Sequence, residues 1–87
     1  MELSKVTMIL RGYNVEQVRT VAEVLLHAKH VRNMEITLNT ENAYEIIRTI
    51  SDEYQDKLNI GAGTVQTYDE LKKAVDAGAK FVLSPRQ

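Results

Sequence analysis

The sequence predicts an α/β fold in which parallel strands alternate with helices. Four short runs of strand-forming residues are separated by three stretches with helical periodicity, in the order β-α-β-α-β-α-β. The predicted strands begin at positions 5, 33, 58 and 80, so the connections are too long for hairpins and make neighbouring strands parallel. With 87 residues, the whole chain (1–87) is expected to form one domain of this βα repeat.

Alternation along the strands distinguishes between two architectures of this class. Along the second strand, apolar residues alternate with Glu35, Thr37 and Asn39. A sheet covered by helices on both faces has continuous apolar strands instead. One apolar face and one partly polar face therefore favour a section of a (β/α) barrel over an open doubly wound sheet. The predicted strands are Lys5–Leu10, Asn33–Leu38, Leu58–Ala62 and Lys80–Ser84, and the set expected to face the helices includes Val6, Met8, Leu10, Met34, Ile36 and Leu38.

The first helix is predicted over Val15–Lys29. Its apolar residues recur at i, i+3, i+4, i+7 and i+8, which is typical of a helix with one buried stripe. Asn14 is a suitable N-cap, and Gln17 three residues later completes a box-like arrangement. The stripe consists of Val18, Val21, Ala22, Leu25 and Leu26.

The second and third helices are predicted over Glu41–Tyr54 and Tyr68–Ala77. Thr67 and Glu70 have the spacing of a capping box for the third helix. Gly78 is expected to end that helix in the left-handed conformation. The expected buried face of the second helix consists of Ala43, Ile46, Ile47 and Ile50.

Composition excludes several classes of function. Eleven Lys and Arg residues against twelve Asp and Glu give a formal net charge of −1, which predicts neither a nucleic-acid nor an acidic-membrane partner. The absence of Cys excludes disulfides, thiolate catalysis and Cys-ligated metal sites. His27 and His30 are too few for a three-His metal site and are interpreted as surface residues. No secretory signal or membrane span is recognisable, so the expected location is the cytoplasm.

Glu35 is the first candidate for chemistry, because it lies in the middle of a strand between Met34 and Ile36. A carboxylate in that position is costly unless it is paired or hydrogen-bonded, and loss of hydration raises its pKa. One interpretation is a general acid/base. The other is an exposed edge-strand residue or one half of a structural ion pair, and the local sequence leaves both open.

Three further candidates follow the carboxyl ends of predicted strands, where parallel α/β folds bind ligands. In Gly61–Thr64 the glycines let a ligand approach the backbone, and Thr64 offers a hydroxyl and an amide. Arg11 follows the first strand and either binds a carboxylate through two hydrogen bonds or is a solvated loop residue. Pro85 follows the fourth strand, where it either shapes the site or only ends the strand.

Four sequence segments, taken together with their order and spacing, identify a family more specifically than any one of them does. They are Val6–Tyr13 (VTMILRGY), Met34–Ala43 (MEITLNTENA), Ile60–Val65 (IGAGTV) and Ala77–Pro85 (AGAKFVLSP). Together they resemble the first half of a 2-keto-3-deoxy-6-phosphogluconate/4-hydroxy-2-oxoglutarate aldolase, and the resemblance spans nearly the whole chain. The E-I-T-L segment followed by G-A-G-T-V and S-P is typical of that family.

The resemblance implies a (β/α)₈ barrel and class I aldolase activity, with a lysine imine as electron sink and neither metal nor cofactor. Retro-aldol cleavage of a 2-keto-3-deoxy (phospho)sugar acid or of 4-hydroxy-2-oxoglutarate would yield pyruvate and an aldehyde, so a small keto acid is the implied ligand. The implied catalytic residue is Glu35, as general acid/base. The implied substrate-binding residues are Thr64 for the pyruvate portion, Arg11 and Asn39 for its carboxylate, and Pro85 as part of the pocket wall.

Two departures from the family pattern concern the substrate and the first helix. Many members carry Arg after the E-V-T-L segment, where this chain has Asn39. Together with Arg11 in an L-R-G segment, this resembles the branch that acts on other 2-keto-3-deoxy sugar acids, such as the 6-phosphogalactonate type, so the substrate stays open. Lys29-His30 replaces the usual Gly-rich end of the first helix, and a left-handed residue there costs about 1 kcal/mol.

Length is the third departure, because a (β/α)₈ barrel needs about 250 residues. In the family the imine-forming lysine lies on the sixth strand, so the resemblance implies that this chain lacks it. We expect a homo-oligomer or a complementing second half-barrel to cover the open strand edges, and catalysis only when the missing strands are supplied. The alternatives are a non-catalytic α/β module that binds a small keto acid or a partner protein, and a flavodoxin-like receiver, for which the acidic cluster is lacking.

Overall fold

The computed structural model describes residues 6–28, 31–54 and 56–84. Within these ranges, four strands and three helices alternate along the chain. The strands are β1 (Val6–Leu10), β2 (Val31–Thr37), β3 (Asn59–Gly63) and β4 (Phe81–Val82), and the helices are α1 (Val15–Leu26), α2 (Ala43–Glu53) and α3 (Tyr68–Ala77). In this part of the chain, no helix has the length and apolar content needed to cross a membrane.

All three strand pairs are parallel, and the order in the sheet follows the chain, β1-β2-β3-β4. Right-handed crossovers between strands in that order place the helices on one face of the sheet. A doubly wound sheet, including a flavodoxin-like receiver, has a reversal in strand order that puts helices on both faces. The described chain is therefore a partial (β/α) barrel, as the sequence predicts, and the receiver interpretation is wrong.

The face of the sheet that carries the helices is apolar. Met34 and Ile36 of β2 and Ile60 and Ala62 of β3 are each 1% exposed or less. Burying a side chain of the size of Met or Ile contributes roughly 1.5–3 kcal/mol, so this layer holds the two central strands in place. The helix residues that complete the core are Val18, Ala22 and Leu25 of α1, Ala43, Ile46, Ile47 and Ile50 of α2, and Ala74 and Ala77 of α3.

Side-chain caps define the starts of α1 and α3. The Asn14 side chain accepts a hydrogen bond from the Gln17 backbone N–H at 2.9 Å, and the Gln17 side chain accepts one from the Asn14 N–H at 3.0 Å. Thr67 and Glu70 form the same reciprocal pair at α3. Gly78 ends α3 with a φ of 109°, where an L side chain is strained. Both predicted boxes and the predicted end of α3 are confirmed.

Helix α1 ends three residues before the predicted Lys29. The guanidinium of Arg32, in β2, donates to the backbone carbonyls of Leu25 and Ala28. Carbonyl groups at the end of a helix need such partners, and here the next strand provides them. Lys29 and His30, for which the sequence predicts a strained left-handed residue, lie outside the described residues.

Helix α2 begins two residues later than predicted and ends one residue before the predicted Tyr54. Two turns precede the helix: the Thr40 N–H donates to the Thr37 carbonyl at 3.0 Å, and the Ala43 N–H donates to the Thr40 carbonyl at 3.1 Å. Asn42 then adopts a φ of 60°, which is incompatible with a helical residue. The chain therefore turns tightly between β2 and α2 before the helix starts.

The predicted end of β1 at Leu10 is confirmed, and its predicted start at Lys5 lies outside the described residues. The boundaries of the other three strands differ from the predicted ones by one or two residues. The larger difference concerns Met8, which the sequence places under the helices with Leu10. Met8 is 40% exposed, whereas Leu10 is 1% exposed. Because α1 packs mainly against β2 and α2, the middle of the edge strand β1 is less covered than its end. The expectation of a fully covered outer face is therefore wrong for β1.

Candidate functional site

The candidate site lies on the face of the sheet that is opposite to the helices, near the carboxyl ends of β2 and β3. In the parallel pairing of these strands, Glu35 is the partner of Gly61, and Thr37 is the partner of Gly63. Partners in adjacent strands share a face, and successive residues alternate between faces. The alternation of β2 therefore puts Glu35 on the inner face of the barrel section, as the sequence predicts.

The carboxyl group of Glu35 lies over Gly63. A Cβ added to Gly63 would be 2.8 Å from Glu35 Cγ and still closer to the carboxyl atoms, which is shorter than real Cβ contacts. With a glycine at this position the acid fits in this conformation, in which it is 6% exposed. The pair Gly63–Glu35 thus gives a structural reason for the second glycine of the G-A-G-T segment.

The electrostatic environment of Glu35 favours the protonated acid. Its Oε1 is buried and has no hydrogen-bond partner among the described residues. Loss of hydration raises the pKa of the Glu35 carboxyl above its ordinary value, and the positive charge of Arg11 opposes that rise. A carboxyl group whose pKa is moved toward neutrality can accept and return a proton in one reaction cycle. Its burial argues against an exposed edge residue, and no described cation lies within ion-pair distance.

The first glycine of β3 has an equivalent role on the same face. A Cβ added to Gly61 would be 2.5 Å from Phe81 Cδ2, so the ring of Phe81 occupies the space over this glycine. Phe81 is paired with Gly61 across β3 and β4. The two glycines thus open the inner face of β3 to two large groups, the aromatic ring of Phe81 and the carboxyl of Glu35.

Thr64 follows β3 directly and is half-buried. Its φ is 59°, and a β-branched residue is a true outlier in this left-handed region. Hydrogen bonds on both sides hold the backbone in place, from the Val65 N–H to the Leu83 carbonyl at 3.0 Å and from the Leu83 N–H to the Ala62 carbonyl at 2.9 Å. Strained residues of this kind are concentrated at ligand sites, so Thr64 stays a candidate for binding.

For the other predicted site residues, the structure gives less information about their position relative to Glu35. Arg11 follows the buried end of β1 and is exposed, and its charge reaches Glu35. Asn39 is exposed in the turn after β2. Pro85 lies outside the described residues. The structure thus brings Glu35 together with the G-A-G-T segment, and the charge of Arg11 acts on Glu35, while the roles of all five residues stay predictions.

A pair of threonines is the part of the site region that the sequence analysis missed. Thr37 Oγ1 and Thr40 Oγ1 are 3.0 Å apart and buried, and Thr40 Oγ1 also accepts a hydrogen bond from the Gly12 N–H at 2.9 Å. The signal in the sequence is the repeated threonine of the I-T-L-N-T segment, at a spacing that suits a turn. The partner Gly12 is 28 residues away, so no local pattern could identify it.

A cavity of 420 Å³ lies between the chain that leaves β1 and the start of α2, next to the carboxyl end of β2, with Tyr13, Thr40 and Glu45 among its lining residues. Glu35 and Thr64 do not line that cavity. In the described ranges, no group of three His, Asp or Glu side chains could hold a metal ion.

Known proteins similar to this chain are aldolases. The family model for KDPG and KHG aldolase matches residues 1–86. The 2-dehydro-3-deoxy-phosphogluconate aldolase of Dickeya dadantii is 47% identical over 60 residues, which cover 69% of this chain and 28% of that protein. The aldolase of the same name from Treponema pallidum is 38% identical over 85 residues, which cover 98% of this chain and 40% of that protein.

Solved structures give the same result. The KDPG aldolase of Legionella pneumophila, with pyruvate captured as a covalent carbinolamine intermediate, matches with a TM-score of 0.82 and 33% identity, covering 94% of this chain and 39% of that one. The 2-keto-3-deoxy-6-phospho-gluconate aldolase of Zymomonas mobilis matches with a TM-score of 0.81 and 31% identity, covering 95% and 39%. The chain thus spans between 28 and 40% of the length of these relatives.

Proposed function

Because the chain belongs to the KDPG and KHG aldolase family, we propose that it carries the general acid/base and the keto-acid binding groups of a class I aldolase site. The reaction is retro-aldol cleavage of a 2-keto-3-deoxy (phospho)sugar acid or of 4-hydroxy-2-oxoglutarate to pyruvate and an aldehyde. The expected cytoplasmic location is part of the same proposal. The pyruvate captured in the Legionella pneumophila relative supports the keto-acid part.

The observation that carries the proposal is the environment of Glu35. The carboxyl is buried over Gly63, one oxygen has no described partner, and desolvation raises its pKa. An acid that served only to hold the fold would have both oxygens paired, because an unpaired buried carboxyl oxygen is destabilising. A carboxyl that exchanges a proton with substrate needs an oxygen that no protein group occupies, and Glu35 Oε1 has no hydrogen-bond partner among the described residues.

The chemistry of the proposed reaction divides between Glu35 and a lysine. The lysine forms an imine with the keto carbon of the substrate and releases water. Glu35 then accepts the proton of the C4 hydroxyl, the C3–C4 bond breaks, and its electron pair passes into the imine to give an enamine and the aldehyde. Glu35 returns the proton to C3, and hydrolysis of the imine releases pyruvate and the lysine.

The remaining predicted residues would bind the substrate. Arg11 offers a planar guanidinium for the keto-acid carboxylate, and among the described residues it has no ion-pair partner. Thr64 would add its hydroxyl or backbone N–H on the other side of Glu35, at the end of β3. Asn39 at the end of β2 and Pro85 after β4 complete the proposed pocket.

We propose that the imine-forming lysine comes from outside the described strands. The described lysines Lys57, Lys72, Lys73 and Lys80 are all exposed. Lys80 is nearest to the sheet, but it precedes β4, at the edge opposite to the candidate site. The nucleophile would therefore come from further βα units, which are present in the longer relatives, and cleavage would require them.

The strand edges suggest how such units would bind. β1 and β4 are the two outer strands of the described sheet, and each presents unpaired backbone groups. Ile9 on β1 is 59% exposed and Leu83 after β4 is 39% exposed, so both edges also carry apolar side chains. We propose that a second half-barrel covers them, or a second copy of the chain in its absence. A monodisperse monomer in sedimentation velocity would argue against the second copy.

Complementation tests the proposed function. The chain is mixed with a polypeptide that carries the remaining βα units of the Dickeya dadantii relative, and pyruvate is trapped with cyanoborohydride. We expect an adduct on a lysine of the added polypeptide and cleavage activity in the mixture only. E35Q should keep the adduct and lose about 10²- to 10⁴-fold in cleavage rate, whereas E41Q, which changes an exposed acid, should keep both. Parental cleavage by E35Q would refute the proposal.

A second candidate function is a non-catalytic module that binds a small keto acid or a partner protein. The exposed positions of all described lysines favour it, because they leave this part of the chain without a nucleophile at the site. It predicts that the chain alone binds pyruvate through Arg11 and Thr64 without forming a trapped adduct. Absence of cleavage in the complemented mixture, together with such binding, would favour this function over the aldolase.

A further inference from the structure

Thr40 joins three segments at the carboxyl edge of the sheet. Its side chain is buried at 5% exposure, and Oγ1 accepts a hydrogen bond from the Gly12 N–H while lying 3.0 Å from Thr37 Oγ1. Its carbonyl accepts from the Ala43 N–H at the start of α2, at 3.1 Å. The hydroxyl therefore connects the chain that leaves β1 with the end of β2, and the backbone of Thr40 connects both with α2.

The hydrogen bond to Gly12 bears directly on Arg11. Leu10, which precedes Arg11, is buried in the core, and Gly12, which follows it, is tied to Thr40. Gly12 has a φ of 78°, so the chain reverses its local direction at this residue. With one neighbour packed in the core and the other hydrogen-bonded, the Cα of Arg11 has little freedom to move away from the sheet.

Without the Thr40 hydroxyl, nothing else in the described residues holds the Gly12 N–H. The segment after Gly12 is exposed through Asn14 until α1 begins, and exposed backbone of this kind opens locally at low free energy. Loss of the bond would therefore let the Arg11 backbone move while α1 and the core stay in place. The guanidinium would then spend less time where its charge acts on Glu35.

We propose that Thr40 is a positioning residue, whose hydroxyl holds Gly12 and thereby keeps Arg11 at the carboxyl end of β1, from where its charge acts on Glu35. The catalytic consequence of this inference rests on the proposed function: a correctly positioned Arg11 would place the substrate carboxylate. The physical part of the inference, the coupling of Thr40 to Arg11 and of Arg11 to Glu35, concerns the chain by itself. It can be measured without any aldolase activity.

The test follows the titration of the Glu35 carboxyl carbon by NMR in the isolated chain. T40V keeps the volume and removes the hydroxyl, so Arg11 should leave Glu35 and the midpoint should move to higher pH. T40S keeps the hydroxyl and should titrate at the parental midpoint. R11Q should raise the midpoint as T40V does, and T40V added to R11Q should cause no further shift, because the two changes act through the same group.

Each outcome decides the proposal. An additional shift of T40V in the R11Q background, or a parental midpoint in folded T40V, would overturn it. A raised titration midpoint in T40S would also overturn the proposal. This variant keeps the test decisive if T40V does not fold. In the complemented enzyme, T40V should raise KM for the keto acid about tenfold with little change in kcat. If the titration behaves as expected but no variant of the mixture cleaves substrate, only the proposed function fails.

Discussion

The carboxyl group of Glu35 on β2 occupies the space over Gly63 on β3 that a side chain would otherwise fill. A Cβ on Gly63 would be 2.8 Å from Glu35 Cγ, and Glu35 is 6% exposed in this position. The acid and the glycine are 28 residues apart in the chain, and the parallel register of β2 and β3 brings them together. The glycine therefore controls both the position and the hydration of the proposed acid/base.

Replacing Gly63 should displace Glu35. G63A introduces a methyl group where the carboxyl lies, and such overpacking lowers the free energy of unfolding by about 1–3 kcal/mol. The displaced carboxyl regains water, so its NMR titration midpoint should fall. In the E35A background the same substitution should cost much less, because the overlapping group is gone. Equal costs of G63A in urea unfolding of both backgrounds would contradict the structure.

Glu35 should make the stability of the fold depend on pH. Its pKa in the folded chain lies above the ordinary value of 4.5, because burial disfavours the carboxylate. Between these two pKa values the folded state holds more protons than the unfolded state, so the contribution of the protonated acid is full below pH 4.5 and is lost as pH rises through the folded pKa.

The variant E35Q removes this titration and tests its sign. E35Q should be more stable than the parent at pH 7, and the difference should shrink as pH falls below 4.5. Urea unfolding at both pH values measures it. E41Q, at an exposed position, serves as the matched control. Stability of E35Q below that of the parent at pH 7 would show that the carboxylate has a stabilising partner.

The folded chain should be less stable with Thr64 than with a glycine at the same position. The φ of 59° at Thr64 strains a β-branched residue, and T64G relieves the strain, for a gain of about 1 kcal/mol in the free energy of unfolding. T64A keeps a Cβ and should not show the gain. If Thr64 binds pyruvate, T64G and T64A should both weaken binding in the complemented mixture, while T64S should retain it. A destabilising T64G would mean that the left-handed backbone is not strained.

Tyr54 follows directly after α2 as its C-cap, is buried, and donates a hydrogen bond from its hydroxyl to Glu23 Oε2 at 2.5 Å. Burial and this bond raise the pKa of Tyr54 from 10.0 to about 12. The stabilisation is therefore full below pH 10 and is lost as pH rises toward 12. Y54F should lower the free energy of unfolding by about 1 kcal/mol at pH 7 and remove the alkaline loss.

Two measurements check the Tyr54 prediction. Absorbance at 295 nm reports ionisation of tyrosine, and the titration near pH 12 in the parent should be missing in Y54F. Burial also raises the pKa of Tyr44, so the comparison of the two proteins assigns the late titration. E23Q, the matched variant on α1, should cost a similar amount, and the double variant should cost little more than either. Additive losses would show that the two side chains do not act together.

Features that depend on neighbours in the chain could be predicted from the sequence. Tyr68–Ala77 is a helix with the predicted bounds, because Thr67 and Glu70 cap its start and Gly78 ends it, all within one or two turns. Alternation in β2 predicted that Glu35 faces away from the helices. The family segments predicted a partial parallel barrel, and the strand order confirms it.

The tertiary structure alone decided the rest, because the contacts involved join residues that are distant in the chain. The end of α1 depends on Arg32 of the next strand, and the uncovered Met8 depends on where α1 packs. The bond between Gly12 and Thr40, and the space that Gly63 leaves for Glu35, exist only once neighbouring strands take their register. Local patterns encode caps and faces, whereas register and packing arise from the free energy of the whole sheet.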